Sequence, residues 1–196
     1  MRRIILACFL AGGAWTAHAG PVNWEFTYTG FYTSQTTTHR LEGTTHTEGF
    51  LPDARITGAF SGDDDDGDGI LELAELDSFV ANGTQYLWCV ANPSPYGRCS
   101  IGHFTYALDT QALSFSGGWN GNDEFFSGWG GSITSGVSAT DYSYSDFVET
   151  TRVYTWTDAT RLGFRALPPP VPEPAAGAMA LGGLLVLAGL RRRFRD

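Results

Sequence analysis

The chain has 196 residues, enough for one sizeable domain and short of two. It is 42% hydrophobic and 14% aromatic, which excludes a disordered polar chain, and 25 glycines with no lysine give it the composition of a turn-rich, all-β domain. Between Gly20 and Pro170 six arginines face nineteen acidic residues, a formal net of −13, which disfavours nucleic acid and anionic membrane surfaces and favours cations, and through them anionic polymers.

The N-terminus predicts export. Arg2 and Arg3 form a basic start, Ile4 to Ala14 an apolar stretch too short to span a bilayer, and Ala17-His18-Ala19 a small-x-small cleavage pattern. Residues 1–19 are therefore expected to be a signal peptide, with residues 20–166 forming a β-rich extracellular domain. Val22, Trp24, Phe26 and Tyr28 alternate with polar residues, the period-2 pattern of a strand with an aromatic face. The threonine-rich stretch Thr33 to Thr47 reads as an exposed loop or two edge strands, a candidate for O-glycosylation. Its His39 and His46 have no evident metal partner, and His103 sits in a strand pattern as a structural residue.

Ile56 to Gly62 reads as a strand entering a turn, and then comes DDDDGDGILELAE, Asp63 to Glu75, with seven acidic residues in thirteen. A calcium loop of the EF-hand type asks for oxygen ligands at positions 1, 3, 5, 7, 9 and 12, with glycine at position 6. Starting from Asp64, those slots fall on Asp64, Asp66, Asp68, the Ile70 carbonyl, Glu72 and Glu75, with Gly69 at the turn and Leu71 at the apolar position. Frames starting at Asp63 or Asp66 fail. The loop resembles half an EF-hand, and the expected cofactor is a structural Ca2+. Leu73, Leu76, Phe79 and Val80 recur at helical spacing, so a short helix over 73–81 is expected after it, with Asn82-Gly83 as its stop.

Gln85 to Val90, Gly102 to Leu108, Ala112 to Phe115, Glu124 to Trp129, Arg152 to Thr157 and Arg161 to Ala166 read as further strands, with a hairpin turn at Asp109-Thr110-Gln111. Many short strands between turn signals favour an antiparallel β-sandwich, with a β-barrel as the alternative. Cys89 and Cys99 are the cysteines left after the signal segment, and in an exported chain they are expected to form a disulfide; two free thiols are the alternative. Serine, histidine and aspartate occur without a nucleophile-elbow context, and Asp123-Glu124, adjacent on one strand, would point to opposite faces. No enzymatic activity is expected. Trp119 and Trp129, among glycines, suggest stacking on sugars or ordinary core packing.

Residues 167–174, LPPPVPEP, form a stiff Pro-rich linker, followed by an apolar run over 175–190 and a basic tail over 191–196. Sixteen helical residues reach roughly 24 Å, a marginal transmembrane span, and the arginines should hold the tail in the cytoplasm. Val171-Pro172-Glu173-Pro174, the short apolar segment and the arginine cluster together resemble the PEP-CTERM sorting signal, over about 26 residues of the chain. That resemblance implies an exosortase-type protease as partner, transient anchoring in the inner membrane through the C-terminal helix, and delivery to the cell surface or extracellular matrix of an exopolysaccharide-producing bacterium. A structural or adhesive role, with exopolysaccharide as a candidate partner, follows from it; the alternative is a carbohydrate-binding module or a weak glycan-active enzyme.

Overall fold

The computed structural model describes residues 22–168; the predicted signal segment, the sorting motif Val171–Pro174, the apolar segment and the basic tail lie outside them. Among the described residues no helix is long and apolar enough to cross a membrane. Eleven strands form one antiparallel sheet: β1 (Val22–His39), β2 (Gly43–Gly62), β3 (Ile70–Glu72), β4 (Leu76–Ala81), β5 (Thr84–Gln85), β6 (Gly97–Ala107), β7 (Leu113–Asn122), β8 (Gly128–Thr134), β9 (Ser138–Tyr144), β10 (Val148–Thr155) and β11 (Arg161–Ala166). The spatial order is β3-β6-β7-β8-β9-β10-β1-β2-β4-β5, with β11 added beside the first half of β1. The chain is mainly β, as its composition indicates. The strands make one continuous sheet, curled like half a barrel, where the sequence suggested two stacked sheets.

The curl encloses an aromatic core. Phe60 of β2 meets Phe104 and Tyr106 of β6 at 5.2 and 4.8 Å between ring centroids, and Phe79 of β4 meets Phe104 and Phe115 at 5.0 and 5.2 Å. The two ends of the sheet therefore pack on each other through side chains. β1 supplies Phe26, Tyr28 and Phe31 to the same core. An uninterrupted period of 2 would point Gly30 inward instead of Phe31. A bulge between Thr29 and Phe31 corrects this, with Gly30 in the left-handed region at φ +81°. There β1 exchanges its neighbour β11 for β10, and the Thr160 hydroxyl donates to the Gly30 carbonyl at 2.6 Å.

Four local expectations are corrected. The helix expected over 73–81 is a single 3-10 turn, Leu73–Glu75, followed by strand β4. The run Leu76–Ala81 fits either period over so short a length. β2 presents an open edge at Gly58–Gly62, and β4 pairs with it while burying Phe79 and Ala81. Asn82 and Gly83, at φ 49° and 79°, make the two-residue turn of a hairpin between β4 and β5 rather than a helix stop. The strand expected at 85–90 is instead helix α1 (Tyr86–Ala91), whose Tyr86 is wholly buried and stacks on Phe79 at 5.4 Å. The strand expected at 124–129 begins only at Gly128, because Asp123 folds the preceding residues into a turn. The Thr-rich stretch is a β1–β2 hairpin arm, paired from Thr33 opposite Gly49 to His39 opposite Gly43.

Among the described residues the chain crosses between the sheet's two ends three times. Residues 63–69 lead from β2 to β3, the 3-10 turn Leu73–Glu75 leads back from β3 to β4, and α1 leads from β5 toward β6. The third crossing is stapled by Cys89–Cys99, with Cα atoms 5.6 Å apart. Substituting Gly30→Ala places a side chain where φ disfavours it and should cost about 1–2 kcal/mol in urea unfolding. Cys99→Ser should cost about 2–3 kcal/mol in the same measurement, since it frees α1 from β6.

Candidate functional site

The acidic loop winds around its own carboxylates. Gly67 N–H donates to Asp64 Oδ1 at 2.9 Å and Gly69 N–H to Asp64 Oδ2 at 3.0 Å. Asp68 N–H donates to Asp66 Oδ1 at 3.1 Å, and Ile70 N–H to Asp68 Oδ1 at 2.7 Å. Gly67 and Gly69 take φ of 74° and 84°, which the tight winding requires. As a result Asp64, Asp66 and Asp68 each place one carboxylate oxygen within 4.8 Å of the other two. Oxygens in a calcium shell lie about 2.3–2.6 Å from the ion, hence up to about 5 Å apart. The donor set is hard, anionic and open to solvent, so it fits a calcium ion.

The remaining predicted ligands stand apart from this trio. Glu75 reaches back over the loop, its Oε1 accepting from Asp65 N–H at 3.0 Å and its Oε2 from Glu72 N–H at 2.8 Å. Glu72 is exposed beside the 3-10 turn, and Ile70 is the first residue of β3, paired with Ala107. Leu71, at the apolar slot, is fully buried opposite Tyr106. The loop is held at both ends: Asp63 N–H donates to the Glu75 carbonyl at 3.3 Å, and the Gly69 carbonyl accepts from Leu108 N–H at 2.9 Å. It thus joins the β2–β4 end of the sheet to the β3–β6 end.

A polar contact spans the interior beyond the other end of β4. Asn82, in the β4–β5 turn, donates from Nδ2 to Asp141 Oδ1 of β9 at 3.1 Å. Burial raises the Asp141 carboxyl above its usual range, opposed by the Asn82 hydrogen bond and by the charge of Arg152. Tyr86, whose hydroxyl is buried without a partner among the described residues, is also raised, first by burial and then by Asp141. Sequence reasoning missed this contact; the Asn-Gly dipeptide marks the turn, but nothing local couples it to β9.

Asp123 and Glu124 do not converge on a common point. Asp123 Oδ1 accepts the N–H groups of Phe125, Phe126 and Ser127 at 2.9, 3.0 and 2.8 Å, and its Oδ2 accepts the Ser127 hydroxyl. Its carboxyl is held well below the usual range, most by the Ser127 hydroxyl and then by those amides. Glu124 accepts from the Tyr96 hydroxyl at 2.5 Å, which raises the tyrosine. Trp119 packs against the core and lies over Gly131, and Trp129, 50% exposed, lies over Gly121 on the same inner face. His103 stands between Ser114 and Ser116, and His46 beside Glu48. No protein-family model, curated protein or solved structure matches the chain.

The raised Asp141 carboxyl has a pH signature. A carboxyl that binds its proton more tightly in the folded than in the unfolded chain removes stability as pH climbs from about 4 through its native pKa. Asp141→Asn keeps an oxygen for Asn82 and abolishes the ionisation. Urea unfolding from about pH 4 to pH 7 should therefore show a flatter profile for this variant, with equal or greater stability at the upper end. Asn82→Ala, which strands the carboxylate, should lose about 1–3 kcal/mol at neutral pH.

Proposed function

We propose that the chain is an exported surface or extracellular-matrix protein, structural or adhesive in role, whose curled sheet is closed by a calcium-bound loop. The observation that carries the calcium part is the convergence of Asp64, Asp66 and Asp68 in the segment that joins the two ends of the sheet. The sorting tail supports the rest: Val171–Pro174, the short transmembrane helix over 175–190 and the basic end would hand the chain to an exosortase-type protease, which releases it to the cell surface. In this reading calcium is a folding condition of the exported state and not a signal. The loop has no second copy in the chain and no exiting helix to move, so the paired switch of a calcium sensor has no counterpart here.

Thermal unfolding of the purified full chain, with chelator and with millimolar calcium, tests it. At a hundredfold excess over Kd the ion should add about 2.7 kcal/mol and raise the midpoint. Asp66→Asn should erase the calcium-dependent rise while leaving the chelated protein at least as stable, because one repulsive charge is gone. Glu75→Gln should weaken the rise through the loop closure it supports. A midpoint indifferent to calcium in the unaltered protein would reduce the loop to a solvated acidic turn.

A further inference from the structure

The convex face of the sheet carries a groove that the acidic loop does not touch. It runs across β6, β7, β8 and β9 in two connected parts of about 240 and 430 Å³, which share Arg98, Asn120 and Tyr142. Register explains it. Arg98, Asn120, Gly130 and Tyr142 form one row across the four strands, and Asn122, Gly128 and Tyr144 part of the next. Where β8 would place side chains between the asparagines and the tyrosines, it has Gly130 and Gly128. The tyrosine rings fall into that space. A Cβ at Gly130 would lie 2.7 Å from the Tyr142 hydroxyl, and one at Gly128 would lie 2.6 Å from Tyr144 ring atoms. The rings therefore lie down across the glycine backbone and turn a face outward, with 36% and 44% of Tyr142 and Tyr144 exposed.

The chemistry of the walls is selective. No carboxylate lines either part, although the domain is strongly acidic. Arg98 is exposed and makes no ion pair among the described residues, whereas Arg165 is bound to Glu25 and Arg152 to Gln35. At the rim, Glu124 is engaged by Tyr96, and Glu149 stands opposite Tyr144. Flat aromatic faces offer apolar area to the C–H face of a pyranose ring at little entropic cost. Asparagine amides supply both donors and acceptors for hydroxyls, and a guanidinium matches a carboxylate with two parallel hydrogen bonds.

We infer that this groove is a binding site for an acidic oligosaccharide, with Tyr142 and Tyr144 as the stacking platform, Arg98 as the partner of a sugar carboxylate, and Asn120 and Asn122 reading hydroxyls. The inference gives the adhesive reading a ligand class and rests on that reading for its setting alone; the geometry is independent of calcium and of the tail.

Titration calorimetry of the full chain in calcium tests it, using a mannuronate hexamer and a neutral β-1,4-glucose hexamer as probes. The acidic hexamer should bind and the neutral one should bind more weakly. Tyr142→Ala and Arg98→Gln should each weaken the acidic hexamer by about tenfold or more. Tyr142→Phe should keep most of the affinity, which separates a lost ring from a damaged fold; unchanged thermal midpoints check the same point. Binding that survives Tyr142→Ala but disappears in Asp66→Asn would assign the polymer to the calcium loop and overturn the groove. Absence of binding, or preference for the neutral hexamer, would overturn it as well. Neither result touches the calcium-dependent midpoint, so the two readings fail separately.

Discussion

The sheet has two ends that no backbone ladder joins. β3 lies at one and β5 at the other, and the fold depends on holding them over a common core. A closed barrel would do this with hydrogen bonds, the only device that truly removes edges. Here the work is divided among three kinds of contact. Phe60 and Phe79 press on Phe104, Tyr106 and Phe115, each aromatic pair adding about 0.5–1.5 kcal/mol beyond its buried area. The Cys89–Cys99 bond fixes α1 to β6. The loop from Asp63 to Gly69 carries the chain from β2 across to β3 and is hydrogen-bonded at both feet.

The third contact is the one that opposes itself. Its backbone turns are satisfied by the same carboxylates that repel one another, so the loop's local geometry and its electrostatics pull in opposite directions. Closure needs Asp64, Asp66 and Asp68 together; their charges favour separation. Under the proposed reading calcium reverses the sign of that balance, and it does so at the point where the sheet would open. The Asn82–Asp141 contact repeats the theme on a smaller scale. A partly buried carboxylate is tolerated because a turn residue from the far end of the sheet reaches it, and its cost falls on the same closure.

Much of this was legible in the sequence wherever one short period decides the matter. The aromatic alternation from Val22 to Tyr28 and the hairpin at Asp109–Gln111 needed no tertiary information. The alternate spacing of Asp64, Asp66 and Asp68 was readable too, and those three carboxylates converge. Residues 73–91 were misread for a physical reason. Leu73, Leu76, Phe79 and Val80 satisfy a helical period, while Phe79 and Ala81 satisfy a strand period, and the bare edge of β2 made the choice. Tyr86 to Ala91, rich in residues that favour strands, coils into a helix because Tyr86 must reach Phe79 while Cys89 must reach Cys99.

The convex groove shows what no linear pattern carries. The strand expected over Glu124 to Trp129 stops short of Gly130, and no strand was expected over Ser138 to Tyr144, where β9 lies. Only the register of β8 against β9 sets Gly128 opposite Tyr144 and Gly130 opposite Tyr142. β7 and β8 make a similar exchange on the inner face, where Trp119 covers Gly131 and Trp129 covers Gly121. Each missing side chain is filled by a ring from a neighbouring strand, the arrangement by which aromatics compensate strand glycines. On the inner face that exchange helps complete the core. On the outer face it leaves two rings lying flat in water beside the Arg98 guanidinium, which has no ion pair among the described residues. A sheet needing only stability would satisfy its outer glycines with threonine or valine. Retaining glycine and tyrosine there costs strand propensity and leaves apolar ring faces wet, a cost that a ligand laid across those rings would offset.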